Sequence, residues 1–112
     1  MNSNNEEIIV SLFQQGNETA FKQVRKMFYA TILTFARQLT NEIKEGKKIA
    51  DNSFIKLEKT HVQFDTMNNI RAFLYITTKN NSLDYLKAKS KKKKINTGLL
   101  RYYFRVRKKG KP

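Results

Sequence analysis

Residues 69–87, with the sequence NIRAFLYITTKNNSLDYLK, contain the residue types that a nucleic-acid interface needs. Arg71, Lys79 and Lys87 are basic, Asn80 carries an amide, and aromatic rings lie nearby. Basic groups hold phosphates, amides hydrogen-bond to base edges, and rings stack on unpaired bases. The same segment has an apolar face, so an amphipathic core helix with a solvated outer face explains it equally well. The residues alone leave both interpretations open.

Catalytic and metal-binding chemistry is not expected. The 112-residue chain has no Cys and one His, which excludes thiolate zinc sites, cysteine catalysis and histidine-rich metal sites. Its carboxylates are scattered over polar helix faces, and the common phosphate-loop, dinucleotide and zinc-protease motifs are missing. We expect His61 to be an ordinary surface or capping histidine. The sequence therefore predicts a protein that is not an enzyme and that needs no cofactor and no metal.

Positive charge is concentrated in the C-terminal part of the chain. The sequence has 23 Lys plus Arg against 9 Asp plus Glu, a formal net charge of +14. Residues 1–70 have a net charge of +1 and residues 71–112 a net charge of +13, with Asp84 the single acid in the latter. Such a field favours a polyanionic partner: RNA, DNA or an anionic membrane surface. No apolar run approaches the roughly 20 residues of a membrane span, and the polar, acidic start is not a secretory signal. We expect a cytoplasmic protein that does not enter membranes.

The hydrophobic spacing predicts an all-α fold of three or four helices in one bundle. The predicted helices cover residues 6–15, 18–39, 47–61 and 67–89, with a connection over 40–46 and a loop over 62–69. Asn17 is the expected N-cap of the second helix, and Asp65-Thr66 is a cap signal before the fourth. Residues 1–90 form the predicted domain, and residues 91–112 are a basic tail or a truncated linker. The predicted buried residues are Phe21, Phe28, Ile32, Phe35, Phe54, Leu57, Phe73, Ile76 and Leu83.

Four blocks of the sequence resemble one known family. NIRAFLY at 69–75, followed by N-x-x-L-D-Y-L-K at 80–87, is similar to region two of the sigma-70 family of RNA polymerase initiation factors, and most of all to its small extracytoplasmic-function group. NETAF at 17–21, FARQLTN at 35–41 and FIKL at 54–57 resemble further blocks of that region in the same order and spacing. The likeness covers roughly residues 6–90.

This resemblance implies a transcription initiation module that binds promoter DNA and core RNA polymerase, with an anti-sigma protein as a further partner. The helix over 70–89 would contact the unwound strand of the minus-ten element, and the loop 61–69 would hold a base flipped out of it. The implied DNA-binding residues are Arg71, Tyr75, Lys79, Asn80, Asp84, Lys87, Lys89 and Lys91. The helix over 47–60 and the end of the helix before it would dock on the polymerase clamp. The implied polymerase-binding residues are Arg37, Asn41, Lys48, Asp51, Asn52 and Ile55.

The sequence departs from the family pattern in two places. Where the family has an acidic, amide-rich run before F-x-K-L, residues 46–54 read GKKIADNSF, with Lys47 and Lys48 in place of an acidic pair. The family also has a second helical domain, region four, and nothing after Lys94 could form one, which predicts a fragment, a truncated product or a stand-alone variant.

Other functions fit these departures. The main alternative is a stand-alone basic nucleic-acid-binding helical protein that does not depend on polymerase. A fragment that competes for polymerase or for an anti-sigma protein, and binding to a membrane surface, remain open as well.

Overall fold

The computed structural model describes residues 3–93, which form four α-helices and one short 3-10 helix. The helices are α1 (Ser3–Gln14), α2 (Glu18–Thr40), α3 (Ile43–Lys59) and α4 (Met67–Lys93), and the 3-10 helix (His61–Gln63) precedes α4. Over these residues there is no strand, so the predicted all-α bundle is confirmed. Within the same range, no helix is long and apolar enough to cross a membrane. The predicted tail falls outside the described residues from position 94 onward.

Side-chain caps set two of the helix starts as the sequence predicts. The Asn17 side-chain oxygen accepts a hydrogen bond from the Ala20 backbone N–H at 2.9 Å, at the start of α2. The Thr66 hydroxyl accepts one from the Asn69 N–H at 3.0 Å, at the start of α4. Such caps satisfy backbone donors that have no partner inside the helix. α2 ends at Thr40, and its C-cap Asn41 adopts the left-handed conformation with φ 56°.

The predicted connection over residues 40–46 is wrong, because α3 already begins at Ile43. Gly46 lies inside α3 and is buried, instead of ending a loop. A Cβ placed on Gly46 would lie 2.6 Å from Arg37 Cγ and 2.9 Å from Arg37 Cα. Gly46 therefore allows α2 and α3 to approach closely, whereas a glycine in the sequence alone indicates the end of a helix or a loop.

Three helices pack against one another, and α1 closes one end of the bundle. α3 runs antiparallel to α2, because Arg25 pairs with Glu58 near one end and Arg37 contacts Gly46 near the other. α4 runs in the same direction as α2: Arg71 lies over the Phe28 ring, and further along both helices Tyr75 contacts Phe35. α3 packs against both α2 and α4, so the outer surface between α2 and α4 lies on the side of the bundle opposite to α3.

Most of the predicted core residues take part in the core. Phe28, Ile32, Phe54, Leu57 and Leu83 are buried, and Phe21, Phe35 and Phe73 are half-buried. The prediction for Ile76 is wrong, since 59% of this residue is exposed.

The outward position of Ile76 follows from the way α4 meets α3. α4 carries apolar residues on two sides, and the side with Ile70, Leu74 and Thr78 faces the core. The Ser53 and Thr78 hydroxyls form a buried hydrogen bond of 2.7 Å, which joins α3 to that side of α4. Periodicity alone does not distinguish two apolar sides of one helix.

Candidate nucleic-acid interface

An open groove between α2 and α4 is the centre of the candidate interface. It has a volume of about 450 Å³ and is lined by Ala30, Thr31, Thr34, Phe35, Gln38 and Tyr75. The Tyr75 ring meets the Phe35 ring edge-on, with 5.1 Å between their centroids. The groove thus combines an aromatic wall with threonine hydroxyls and one amide, a set that can contact the face and the edge of a planar base.

The two helices that form this groove carry no carboxylate beside it. No Asp or Glu occurs over residues 19–41 or over residues 66–83. Arg71 lies one helical turn before Tyr75 and Lys79 one turn after it, so both cations lie on the side of α4 that carries the Tyr75 ring. Arg71 is exposed, with its guanidinium 5.6 Å from the centroid of the Phe28 ring, and Lys79 is half-buried. The groove therefore has a positive rim.

The outward side of α4 next to this rim is partly apolar. Ile76 is exposed, and Asn80, one turn further, is half-buried. An exposed apolar side chain beside an amide is consistent with a surface that receives bases, but it also occurs singly on ordinary protein surfaces.

The remaining predicted DNA-binding residues lie on the C-terminal half of α4. Asp84, Lys87 and Lys91 are exposed. Lys89 differs from them because it is half-buried and forms an ion pair with Glu42 at the start of α3. Of the eight predicted residues, Arg71, Tyr75 and Lys79 are therefore the ones brought together at the groove.

Four of the predicted polymerase-binding residues form one stripe on α3. Lys48, Asp51, Asn52 and Ile55 follow the spacing of one helical face, and they lie opposite the buried stripe of that helix. Lys48, Asn52 and Ile55 are exposed, and Asp51 is half-buried toward α2. The stripe is an outward surface with one exposed apolar side chain.

The other two, Arg37 and Asn41, lie at the end of α2 and help to form the turn into α3. The Arg37 guanidinium donates a hydrogen bond to the Ile43 carbonyl at 3.2 Å, and Asn41 is the left-handed cap. Both residues are therefore engaged in the connection between the helices that carry the predicted contact.

Asp51 is held by two donors. The Tyr29 hydroxyl donates to Asp51 Oδ1 at 2.8 Å, and Lys47 donates to Asp51 Oδ2 at the same distance. Burial alone would raise the pKa of Asp51, but the hydrogen bonds from Lys47 and Tyr29 outweigh burial and lower this pKa below its usual value. The same arrangement, through burial first and then the hydrogen bond to Asp51, raises the pKa of Tyr29.

Carboxylates on α3 are paired with cations, in contrast to the carboxylate-free rim of the groove. Glu58 lies 2.9 Å from Arg25 Nε, and Glu45 lies 3.7 Å from Lys48 Nζ. These pairs reduce the net field of the α3 surface. Among the described residues, no group of three or more His, Asp or Glu side chains lies close enough together to hold a metal ion.

The segment 61–69, expected to hold a flipped base, packs closely on the first helix. His61 Nδ1 lies 2.8 Å from the Gln14 carbonyl oxygen, so His61 caps the end of α1. Phe64 is buried and meets the Phe13 ring edge-on. The depression beside this segment has a volume of about 260 Å³, and three of its lining side chains are the carboxylates of Glu6, Glu7 and Asp65. A nucleotide there would bring its phosphates close to acidic groups.

Two features of the site lie beyond what sequence reasoning identified. Thr31, Thr34 and Gln38 form the α2 wall of the groove, although nothing in their spacing separates them from solvated helix positions. Glu42 contacts Lys89 across 47 positions of sequence, and only the tertiary structure brings the two together. The missing carboxylates over residues 19–41 and 66–83 are the one sequence signal that could have located the groove.

No family model, no curated protein and no solved structure matches this chain.

Proposed function

We propose that this protein is a transcription initiation module of the sigma region-two type, which binds the unwound strand of promoter DNA on its α2/α4 face. The observation that carries the proposal is the positive, carboxylate-free groove in which the Tyr75 ring is accessible. The four sequence blocks that resemble region two add the assignment to promoters and to polymerase.

The geometry of the groove favours an unpaired strand over a duplex. Arg71 and Lys79 are eight residues apart, about 12 Å along the helix, and can hold phosphates on both sides of one base. Tyr75 lies between them and lines the groove with a half-buried ring, which can contact a base that has left the stack. In a duplex the bases are stacked and their faces are covered, so the ring would reach only base edges and the sugar-phosphate backbone.

The α3 stripe is the proposed contact with core RNA polymerase. It lies on the opposite side of the bundle from the groove, so both partners can be bound at once. Ile55, which is 43% exposed, is the apolar side chain at its centre. A partner in the transcription machinery also supports a cytoplasmic location.

A second candidate is a nucleic-acid-binding protein that acts without polymerase. Lys47 and Lys48 favour it, because they place positive charge on α3 where the family has acids. Lys47 also donates a hydrogen bond to the Asp51 carboxylate, which leaves that carboxylate less available to a partner.

Capture of core RNA polymerase separates the two candidates. We expect the tagged full chain to retain core polymerase from solution, Ile55→Asp to lose this capture, and Val62→Asp to keep it. Val62 is a matched control because it is also an exposed apolar residue but lies outside the α3 stripe. If the wild type binds single-stranded DNA but never retains polymerase, the second candidate replaces the first.

A further inference from the structure

The Glu42 carboxylate contacts two side chains of α4. The Tyr85 hydroxyl donates a hydrogen bond to Glu42 Oε1 at 2.8 Å, and the Lys89 ammonium forms an ion pair with Glu42 Oε2. The Glu42 side chain makes no capping hydrogen bond to α3, although it occupies the N-cap position. The Glu42 carboxylate therefore contacts side chains of α4 and does not cap α3.

One hydroxyl donor and one ammonium group that converge on the same anion make an anion site. The two non-bridging oxygens of a phosphodiester share one negative charge and accept hydrogen bonds, as the two oxygens of a carboxylate do. The side chains of Lys89 and Glu42 are 30% and 31% exposed, so a phosphate from solution can reach the ammonium and the carboxylate can move out into water.

The position of this site on α4 connects it to the groove. Lys89 follows Arg71 by 18 residues, which is five complete turns of an α-helix, so both cations lie on the same side of α4. A strand that passes Arg71 and Lys79 along this side reaches Lys89 next.

We propose that Tyr85 and Lys89 form a phosphate-binding subsite and that Glu42 occupies it in the free protein as an internal competitor. This inference rests on the proposed function, since it assigns a further contact and a means of regulation to the same nucleic-acid surface. Binding of a strand replaces the carboxylate by a phosphodiester, which restores both the hydrogen bond and the ion pair.

The Tyr85 hydroxyl can donate to either anion, because a tyrosine is protonated at neutral pH. The hydrogen bond to Glu42, together with burial, raises the pKa of Tyr85 to about 12. The ion pair itself is partly exposed, and such pairs contribute little net stability. The free-energy cost of replacing the carboxylate by a phosphate is therefore small.

The test compares Glu42→Gln with Glu45→Gln, using a fluorescent oligothymidylate as the probe. Both variants remove one negative charge from the start of α3. Glu45 pairs with Lys48 and acts on Tyr85 only through its charge, whereas Glu42 also accepts the Tyr85 hydrogen bond, so the comparison separates loss of the contact from loss of a nearby charge. We expect Glu42→Gln to bind the probe about two- to five-fold more tightly than the wild type at low salt. Its slope of log K against log salt should stay close to that of the wild type, because the strand contacts Lys89 in both, whereas Lys89→Gln should make the slope shallower by about 0.7. The affinity of Glu45→Gln should change by less than two-fold.

A double-mutant cycle with Lys89→Gln assigns the gain to the subsite. We expect Glu42→Gln to produce no gain when Lys89 is already replaced. The inference is overturned if Glu42→Gln binds no more tightly than the wild type, or if the gain persists without Lys89.

A measurement on the unaltered full chain covers the case in which Glu42→Gln fails to fold. NMR signals of the Glu42 carboxyl carbon and the Tyr85 ring should shift when the probe is added. Shifts confined to the surroundings of Arg71 and Lys79 would refute the subsite and leave the proposed function standing. A chain that does not bind the probe at any salt concentration would refute the proposed function itself.

Discussion

Replacement of Gly46 by alanine tests the close approach of α2 and α3. The added Cβ would lie 2.6 Å from Arg37 Cγ, 2.9 Å from Arg37 Cα and 3.0 Å from Arg37 N. The Cγ atom belongs to a flexible side chain and can move. The Cα and N atoms belong to the last turns of α2, so these two contacts are relieved only if one helix shifts against the other.

Two opposing effects determine the size of the change. Alanine is more favourable than glycine inside a helix by about 1 kcal/mol. Insertion of a methyl group into a well-packed contact costs about 1–3 kcal/mol. Because two of the three close contacts of Gly46 are with backbone atoms, we expect the upper part of that range, and hence a net loss of about 1–2 kcal/mol in the free energy of unfolding.

Urea unfolding of Gly46→Ala and of Asn52→Ala at neutral pH measures this difference. Asn52 is an exposed position of the same helix, where alanine adds helix propensity without a new contact, so the control should be stabilised by about 0.5 kcal/mol. If Gly46→Ala is as stable as the wild type or more stable, α2 and α3 do not approach each other closely at Gly46.

Three further changes test the core and the contacts of Asp51. Phe28→Ala should lower the free energy of unfolding by about 3–5 kcal/mol, because Phe28 is buried between α2 and α4; a loss below about 1 kcal/mol in urea unfolding would contradict its position. Ser82→Ala should raise the same quantity by about 1 kcal/mol, since the buried Ser82 hydroxyl has no hydrogen-bond partner among the described residues; thermal melting that shows a loss instead would reveal a missed partner. The lowered pKa of Asp51 adds stability above the pKa that this group has when unfolded, and that stability is lost as the pH falls through the folded value. Acid unfolding of Asp51→Asn, compared with the wild type, should therefore show a weaker dependence on pH, and identical curves would contradict the contacts with Tyr29 and Lys47.

Local signals predicted α2 and its cap almost to the residue. Its apolar residues form one stripe, and Asn17 supplies the expected oxygen for the first turn. Local signals do not predict the start of α3, because Gly46 is a typical helix breaker. The close approach of Arg37 that Gly46 allows is visible only in the packed structure.

The candidate interface was likewise predictable from the sequence only in part. The spacing of Arg71, Tyr75 and Lys79 places them on one side of α4 as soon as the helix is recognised. The groove beside them could not be predicted, since its other wall belongs to α2 and consists of ordinary polar residues such as Thr34 and Gln38. The core-facing side of α4 is also ambiguous in the sequence, because Ile76 and Leu74 fit an apolar stripe equally well. In the structure Leu74 is buried, on the side where Thr78 is hydrogen-bonded to Ser53.

The binding of single-stranded DNA by two double variants tests whether the strand lies on the α2/α4 face. Arg71→Gln/Lys79→Gln removes two positive charges from the rim of the groove, and Lys44→Gln/Lys59→Gln removes two exposed charges from α3. We expect the groove variant to bind more weakly, with a slope of log K against log salt that is shallower by about 1.4, because two phosphate contacts are lost. The α3 variant should keep the slope of the wild type. Equal effects of the two variants would show that the strand follows charge alone and does not bind on the α2/α4 face.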